Sequence, residues 1–164
     1  VKTITARLPR DVPTMRLANG DEIPFFSGAF VQTRLEEAGA ILMALPTGAR
    51  DRPSVKLTWW PLARLTFSDA IGREFKPRVR WAAPSADAID RMDEALTWLP
   101  LIGEIAKRRV AAARLLTHPL TGKPIYSYGR ISETTGLHRS TVQRWWEDGC
   151  GEIAERLTRE AQRA

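Results

Sequence analysis

A single glycine constrains this chain more than any other residue. In "YGRISETTGLHRSTVQRWW", residues 128–146, Gly136 divides two short segments whose apolar residues recur at helical spacing. Glycine carries no Cβ and enters the left-handed region at little steric cost, so it suits a tight turn between two helices. Ile131 is expected to pack inward from the first helix, and Ser132 is small enough for close approach. Leu137, Val142 and Trp145 are expected to form the inner face of the second helix, with Trp146 at its edge. His138, Arg139, Ser140, Gln143, Arg144 and Glu147 are then left on the outer face.

That polar face has the chemistry of a major-groove helix. Arginine can bond guanine bidentately, glutamine can do the same to adenine, and hydroxyls and a helix N-terminus can hold phosphate. The expected base-reading residues are Arg139, Ser140, Gln143 and Arg144, with His138, Thr141, Arg130, Lys123, Lys107, Arg108 and Arg109 on phosphates. Two helices around a glycine with a solvated basic face also occur in proteins that never meet DNA. The flanking charge adds weight: residues 103–164 hold eleven Lys/Arg against seven Asp/Glu. Over the 164 residues the net charge is +6, which favours a polyanionic partner without choosing one.

The remaining chain reads as helices punctuated by proline and glycine. Residues 1–28 form a poorly patterned lead, with Asn19-Gly20 as a hairpin signal. From Phe30 to Leu45, Leu35, Ala38, Ile41, Leu42 and Leu45 fall at helical spacing until Pro46 ends the run. Residues 46–54 are a loop, residues 55–67 have strand-like composition around Trp59-Trp60, and a short helix is expected over 68–75. Residues 76–85 are extended and basic. Over 85–99, Ser85 or Asp87 is positioned to cap a helix whose stripe is Ile89, Met92, Leu96 and Leu99. Pro100 divides it from a helix over 101–116, and a loop fills 117–126. Three helical segments are expected at the end: 128–135, 139–148 and 152–162.

Two resemblances follow from these residues. "GRISETTGLHRSTVQRW" is similar to the helix-turn-helix segments of bacterial and phage regulators and of sigma-factor C-terminal regions. "FVQTRLEEAGAILMALP" and "PSADAIDRMDEALTWL", together with that terminal motif, resemble an uncharacterised family of small proteins of alphaproteobacteria and their phages and prophages. The middle motif, Arg91-Met92-Asp93-Glu94 followed by Trp98-Leu99, is the more distinctive part. The resemblance implies a DNA-binding terminus and a phage-like setting, and no activity.

Other chemistries are thin. Asp87, Asp90 and Asp93 sit where a helix dipole favours acids, and His118 and His138 lack partners at zinc spacing, so no metal or cofactor is expected. Cys150 lies between Gly149 and Gly151, where a helix is expected to end, and pairs with no base by any signature; it is the only cysteine, so no intrachain disulfide forms. Tyr126 and Tyr128 have no arginine-rich catalytic set, and no phosphate loop occurs. Trp59, Trp60 and Trp81 beside Lys56, Arg78 and Arg80 suit single-strand stacking in principle, although tryptophans more often anchor cores. The start lacks a signal-peptide core and no apolar run reaches about 20 residues, giving a cytoplasmic, nucleoid-associated expectation with no membrane.

The expected fold is mainly α, with a C-terminal helix-turn-helix bundle over 101–164 packed on a smaller N-terminal helical region over 29–100 and one short β-hairpin. The expected function is non-catalytic, sequence-specific binding of double-stranded DNA as a regulator. It would act as a homodimer joined through the Leu/Ile stripe of the N-terminal helix. The alternatives are a small terminase-like DNA-packaging subunit, and a factor acting mainly through RNA polymerase or another transcription protein.

Overall fold

The computed structural model describes residues 13–16, 18, 20, 22–45 and 83–163. Expectations for residues 1–12 and 46–82, including the strand-like run, the short helix and the Trp59, Trp60 and Trp81 groove, lie outside the described residues. Within them the fold is mainly helical with one small hairpin: β1 (Thr14–Arg16), β2 (Glu22–Pro24), α1 (Gly28–Ala44), α2 (Ala86–Leu96), a 3₁₀ turn (Leu99–Leu101), α3 (Ile105–Arg114), α4 (Tyr128–Thr135) and α5 (Arg139–Ala161).

The strands pair antiparallel, with Met15 opposite Ile23. The chain leaving β2 is fastened to a residue distant in sequence, where the Phe26 N–H donates to Thr158 Oγ1 at 2.9 Å. Ser27 then caps α1 by accepting from the Phe30 N–H at 3.1 Å. The helix stops at Ala44 because Leu45 is extended, the conformation a residue before proline prefers. Ser85, rather than Asp87, caps α2.

The helix expected over 101–116 begins only at Ile105. Pro100 lies in the 3₁₀ turn, Ile102 leaves it extended, and Glu104 becomes the cap residue. The carbonyls this turn leaves over are taken by Arg108, whose guanidinium donates to Ile102 O at 2.7 Å and to Pro100 O at 3.2 Å.

The two segments expected over 139–148 and 152–162 are one helix of 23 residues, running straight through Gly149-Cys150-Gly151. Glycine inside a helix costs about 1 kcal/mol, and at Gly149 a close neighbour gives a reason for it. A Cβ on Gly149 would come within 3.1 Å of Ile102 Cδ1, and one on Gly28 within 3.7 Å of the Gly151 backbone. The first is a tight contact and the second ordinary van der Waals packing, and α5 packs against α1, α3, α4 and the 3₁₀ turn.

One continuous set of buried side chains joins these elements. It includes Leu35, Met92, Trp98, Ile102, Val142, Trp146, Ile153 and Leu157, all fully buried, and so draws on both sides of the boundary expected at residue 100. Leu35 and Ala38 of the stripe proposed for dimerisation are spent inside the monomer, against α2 and α5. The Arg91–Leu99 motif is core as well: Met92, Trp98 and Leu99 are fully buried, while Arg91 pairs with Glu37 of α1 at 3.2 Å.

Candidate nucleic-acid interface

α4 is short and held at both ends. Ser127 caps its start by accepting from the Arg130 N–H at 3.2 Å. Gly136 ends it in the left-handed conformation, φ 70, with its N–H on Ser132 O at 2.9 Å. The Ser132 hydroxyl reaches across the connection and donates to Leu137 O at 2.5 Å. Only Gly136, Leu137 and His138 separate α4 from α5. Ile131 from α4 and Val142 from α5 are both buried, and the two helices pack directly.

His138 is the N-cap of α5, a role the sequence reading did not give it. Its Nδ1 lies 3.3 Å from the Ser140 N–H and 2.7 Å from Ser140 Oγ. A backbone N–H can only donate, so Nδ1 is an acceptor and the ring proton of the neutral imidazole is on Nε2. The Ser140 hydroxyl donates to the same nitrogen. His138 therefore turns a second donor away from the cap, and Ser140 retains its oxygen lone pairs for a donor outside the protein.

The outer face of α5 is as the sequence suggested. Arg139, Ser140, Gln143, Arg144 and Glu147 are exposed, with Thr141 half-buried. Gln143 donates through Nε2 to Glu147 Oε1 at 2.9 Å. The tryptophan assignment is reversed: Trp146 is fully buried and Trp145 only half-buried. Residues 142, 146, 149, 150, 153 and 157 line one buried stripe of the continuous helix, and position 145 falls about 100° away from 146.

The expected phosphate contacts divide into two groups. Arg109, Lys123, Arg130 and His138 are exposed. Arg130 also lies over the Tyr126 ring, 5.6 Å from its centroid. Lys107 and Arg108 are engaged in the fold instead. Lys107 sits 3.2 Å from Glu152 and 4.0 Å from both Glu104 and Asp148, and Arg108 holds the 3₁₀ turn.

Behind the face lies a buried cation that the sequence reading passed over. Arg114 is only 9% exposed, at the end of α3. Its guanidinium lies 4.7 Å from the Tyr128 ring centroid and 5.9 Å from that of Trp146, so it touches both α4 and α5. Glu36 of α1 supplies the anion at 3.8 Å. Nearby Cys150 is buried, and its thiol is pushed up to about 12 by burial and the Glu36 charge, against the pull of Arg114. A protonated, buried thiol is a poor nucleophile.

No group of three or more His, Cys, Asp or Glu side chains able to hold a metal occurs among the described residues, and no described helix is long and apolar enough to cross a membrane. The chain belongs to the family described as Domain of unknown function (DUF6362), whose model matches residues 43–153. That match takes in α2, the 3₁₀ turn, α3, α4 and most of α5. Comparison with curated proteins and with solved structures gave no match.

Proposed function

We propose that this member of the DUF6362 family is a non-catalytic regulator that binds double-stranded DNA in a sequence-specific manner, with α4 and α5 acting as a helix-turn-helix. The first turns of α5 lie in the major groove, where Arg139, Ser140, Gln143 and Arg144 meet base edges. His138, Thr141, Arg130, Lys123 and Arg109 hold the phosphates. Lys107 and Arg108 leave this set because their charges are used inside the fold.

One observation carries the reading. The first turns of α5 split cleanly, with Arg139, Gln143 and Arg144 exposed while Val142 and Trp146 on the other face are fully buried. A side-chain constellation on a helix locked by its own core is held in place before its partner arrives, which lowers the cost of binding. The α4–α5 connection adds to this, since its glycine and the Ser132 bond fix the relation of the two helices. A homodimer on a palindromic site, in a phage or prophage setting on the nucleoid, completes the proposal.

The test is anisotropy binding to a random pool of duplexes across a salt series, with sequencing of the bound fraction. Arg139→Ala and Arg144→Ala should each weaken the enriched site by roughly 1–3 kcal/mol. If no motif is enriched and both variants bind as the native protein does, the reading is wrong.

A further inference from the structure

The connection from α3 to α4 is a built turn. Thr117 and Pro124 pair antiparallel, and Ile125 donates to Leu116 O beside them at 2.8 Å. Above that bridge the His118 N–H donates to Lys123 O at 2.8 Å, and the Gly122 N–H returns to His118 O at 2.9 Å. The His118 ring folds over the tip, where Nδ1 accepts from the N–H groups of Leu120 and Thr121, each at 3.3 Å. The Lys123 N–H finds Thr121 Oγ1 at 3.4 Å. Each backbone N–H from Leu120 to Lys123 thus has a partner within the turn, and its base is anchored by buried Leu116, Thr117 and Tyr126.

This rigid tip presents an apolar side chain to water. Leu120 is 67% exposed, more than any other large apolar side chain among the described residues. A lone exposed leucine is ordinary surface. Its place gives this one a role. Two residues beyond the turn, Ser127 caps α4. In a docked helix-turn-helix the first helix crosses the DNA backbone, so a projection at its N-terminus lies over the strand bordering the groove that the second helix fills. The charge agrees: between Ile105 and Ser132 the exposed cations are Arg109, Lys123 and Arg130, and the stretch has no Asp or Glu. Lys123 is exposed on the turn itself, and Arg130 lies over Tyr126 at its base.

We propose that this turn is a second DNA contact, with Leu120 entering the minor groove next to the major groove read by α5 and wedging against a base step, while Lys123 holds the flanking phosphate. The inference rests on the duplex-binding reading of α4 and α5. Apolar wedges of this kind unstack a step and bend the duplex away from the protein's side chain. A turn already ordered by its own hydrogen bonds loses little freedom on insertion.

The experiment measures energy transfer between dyes at the two ends of a duplex carrying the selected site. The proteins are the native chain, Leu120→Ala, Lys123→Ala and Arg144→Ala. The native protein should draw the ends together. Leu120→Ala should bind about tenfold more weakly, leave the duplex straight and select the same sequence, with an unchanged circular dichroism spectrum. Lys123→Ala should lower the slope of log K against log salt by about 0.9. Arg144→Ala should lose sequence preference instead. A Leu120→Ala protein that binds and bends like the native one overturns the wedge and leaves the α5 reading standing. A native protein that binds no duplex removes both.

Discussion

Gly39 of α1 lies directly against the carbonyl of Leu115 at the end of α3. A Cβ built on Gly39 would fall 2.6 Å from the Leu115 carbonyl carbon and closer still to its oxygen. Both atoms belong to backbone, so no side-chain rotation can relieve the clash. Gly39→Ala should therefore destabilise by about 3 kcal/mol or more, since overpacking a rigid contact exceeds the usual range. For a chain of this size that lowers the melting temperature by roughly 6–12 °C, readable by calorimetry. A variant that melts with the native protein would mean α1 and α3 lie farther apart.

Arg114 is expected to answer differently from its partner. Arg114→Met replaces a buried cation with an apolar side chain of similar reach and should change stability by about 1 kcal/mol at most. Glu36→Leu leaves the guanidinium buried without its anion and should cost about 2 kcal/mol, less than a fully buried pair because Glu36 is one-third exposed. Urea titration of the two variants side by side checks the order.

Cys150 contributes a loss of stability on the alkaline side. Below its ordinary value of 9.0 the thiol is protonated in both folded and unfolded chains, and its contribution is constant. As pH rises from 9.0 towards about 12, the unfolded chain releases a proton that the folded protein keeps. Stability should fall there by about 1.4 kcal/mol per pH unit. The difference in urea midpoint between native protein and Cys150→Ala should be flat to pH 9 and narrow or reverse by pH 10.

Capping predicts an order at residue 138. His138→Ala should cost about 1 kcal/mol by losing the acceptor for the Ser140 N–H, while His138→Asn restores one and should recover most of it. Equal thermal stability of both variants would show that the imidazole does not hold the start of α5.

Lys107 and Arg109 sit two residues apart yet should behave oppositely. Arg109→Ala should reduce the salt slope of duplex binding by about 0.9 and leave melting unchanged. Lys107→Met should leave the slope alone and lose about 0.5–1 kcal/mol of stability with its contacts to Glu152, Glu104 and Asp148. Two salt titrations and two melts decide it.

Local signals carried much of this fold. Ser85 and Pro46 marked helix ends because capping and the restriction before proline act within a few residues. The outward set on α5 was legible because period 3.6 alone separates Arg139, Gln143 and Arg144 from Val142. What escaped the sequence was set by distant contacts. Gly149 and Gly151 read as a helix end because the close neighbour that Gly149 makes room for, Ile102, comes from another element. With the helix broken there, Ile153 and Leu157 give no phase, and nothing nearby in the chain favours Trp146 over Trp145 as the buried ring. Lys107 and Arg108 looked like free charge because nothing nearby in the chain names Glu152 or the Ile102 carbonyl as partners. Arg114 is the same case with higher stakes, a cation whose neighbours come from α1, α4 and α5.

The unbroken α5 has one further consequence. Its 23 residues span about 35 Å, and its buried stripe reaches from Val142 to Leu157, near the bond that ties Thr158 to the start of α1. The outward positions at its front end take no part in that stripe. Arg139, Gln143 and Arg144 can be exchanged for other polar residues while the packing behind them stays as it is. The helix thus works as a printing block with a fixed shank and replaceable type: new lettering can be set on the front without recasting the body.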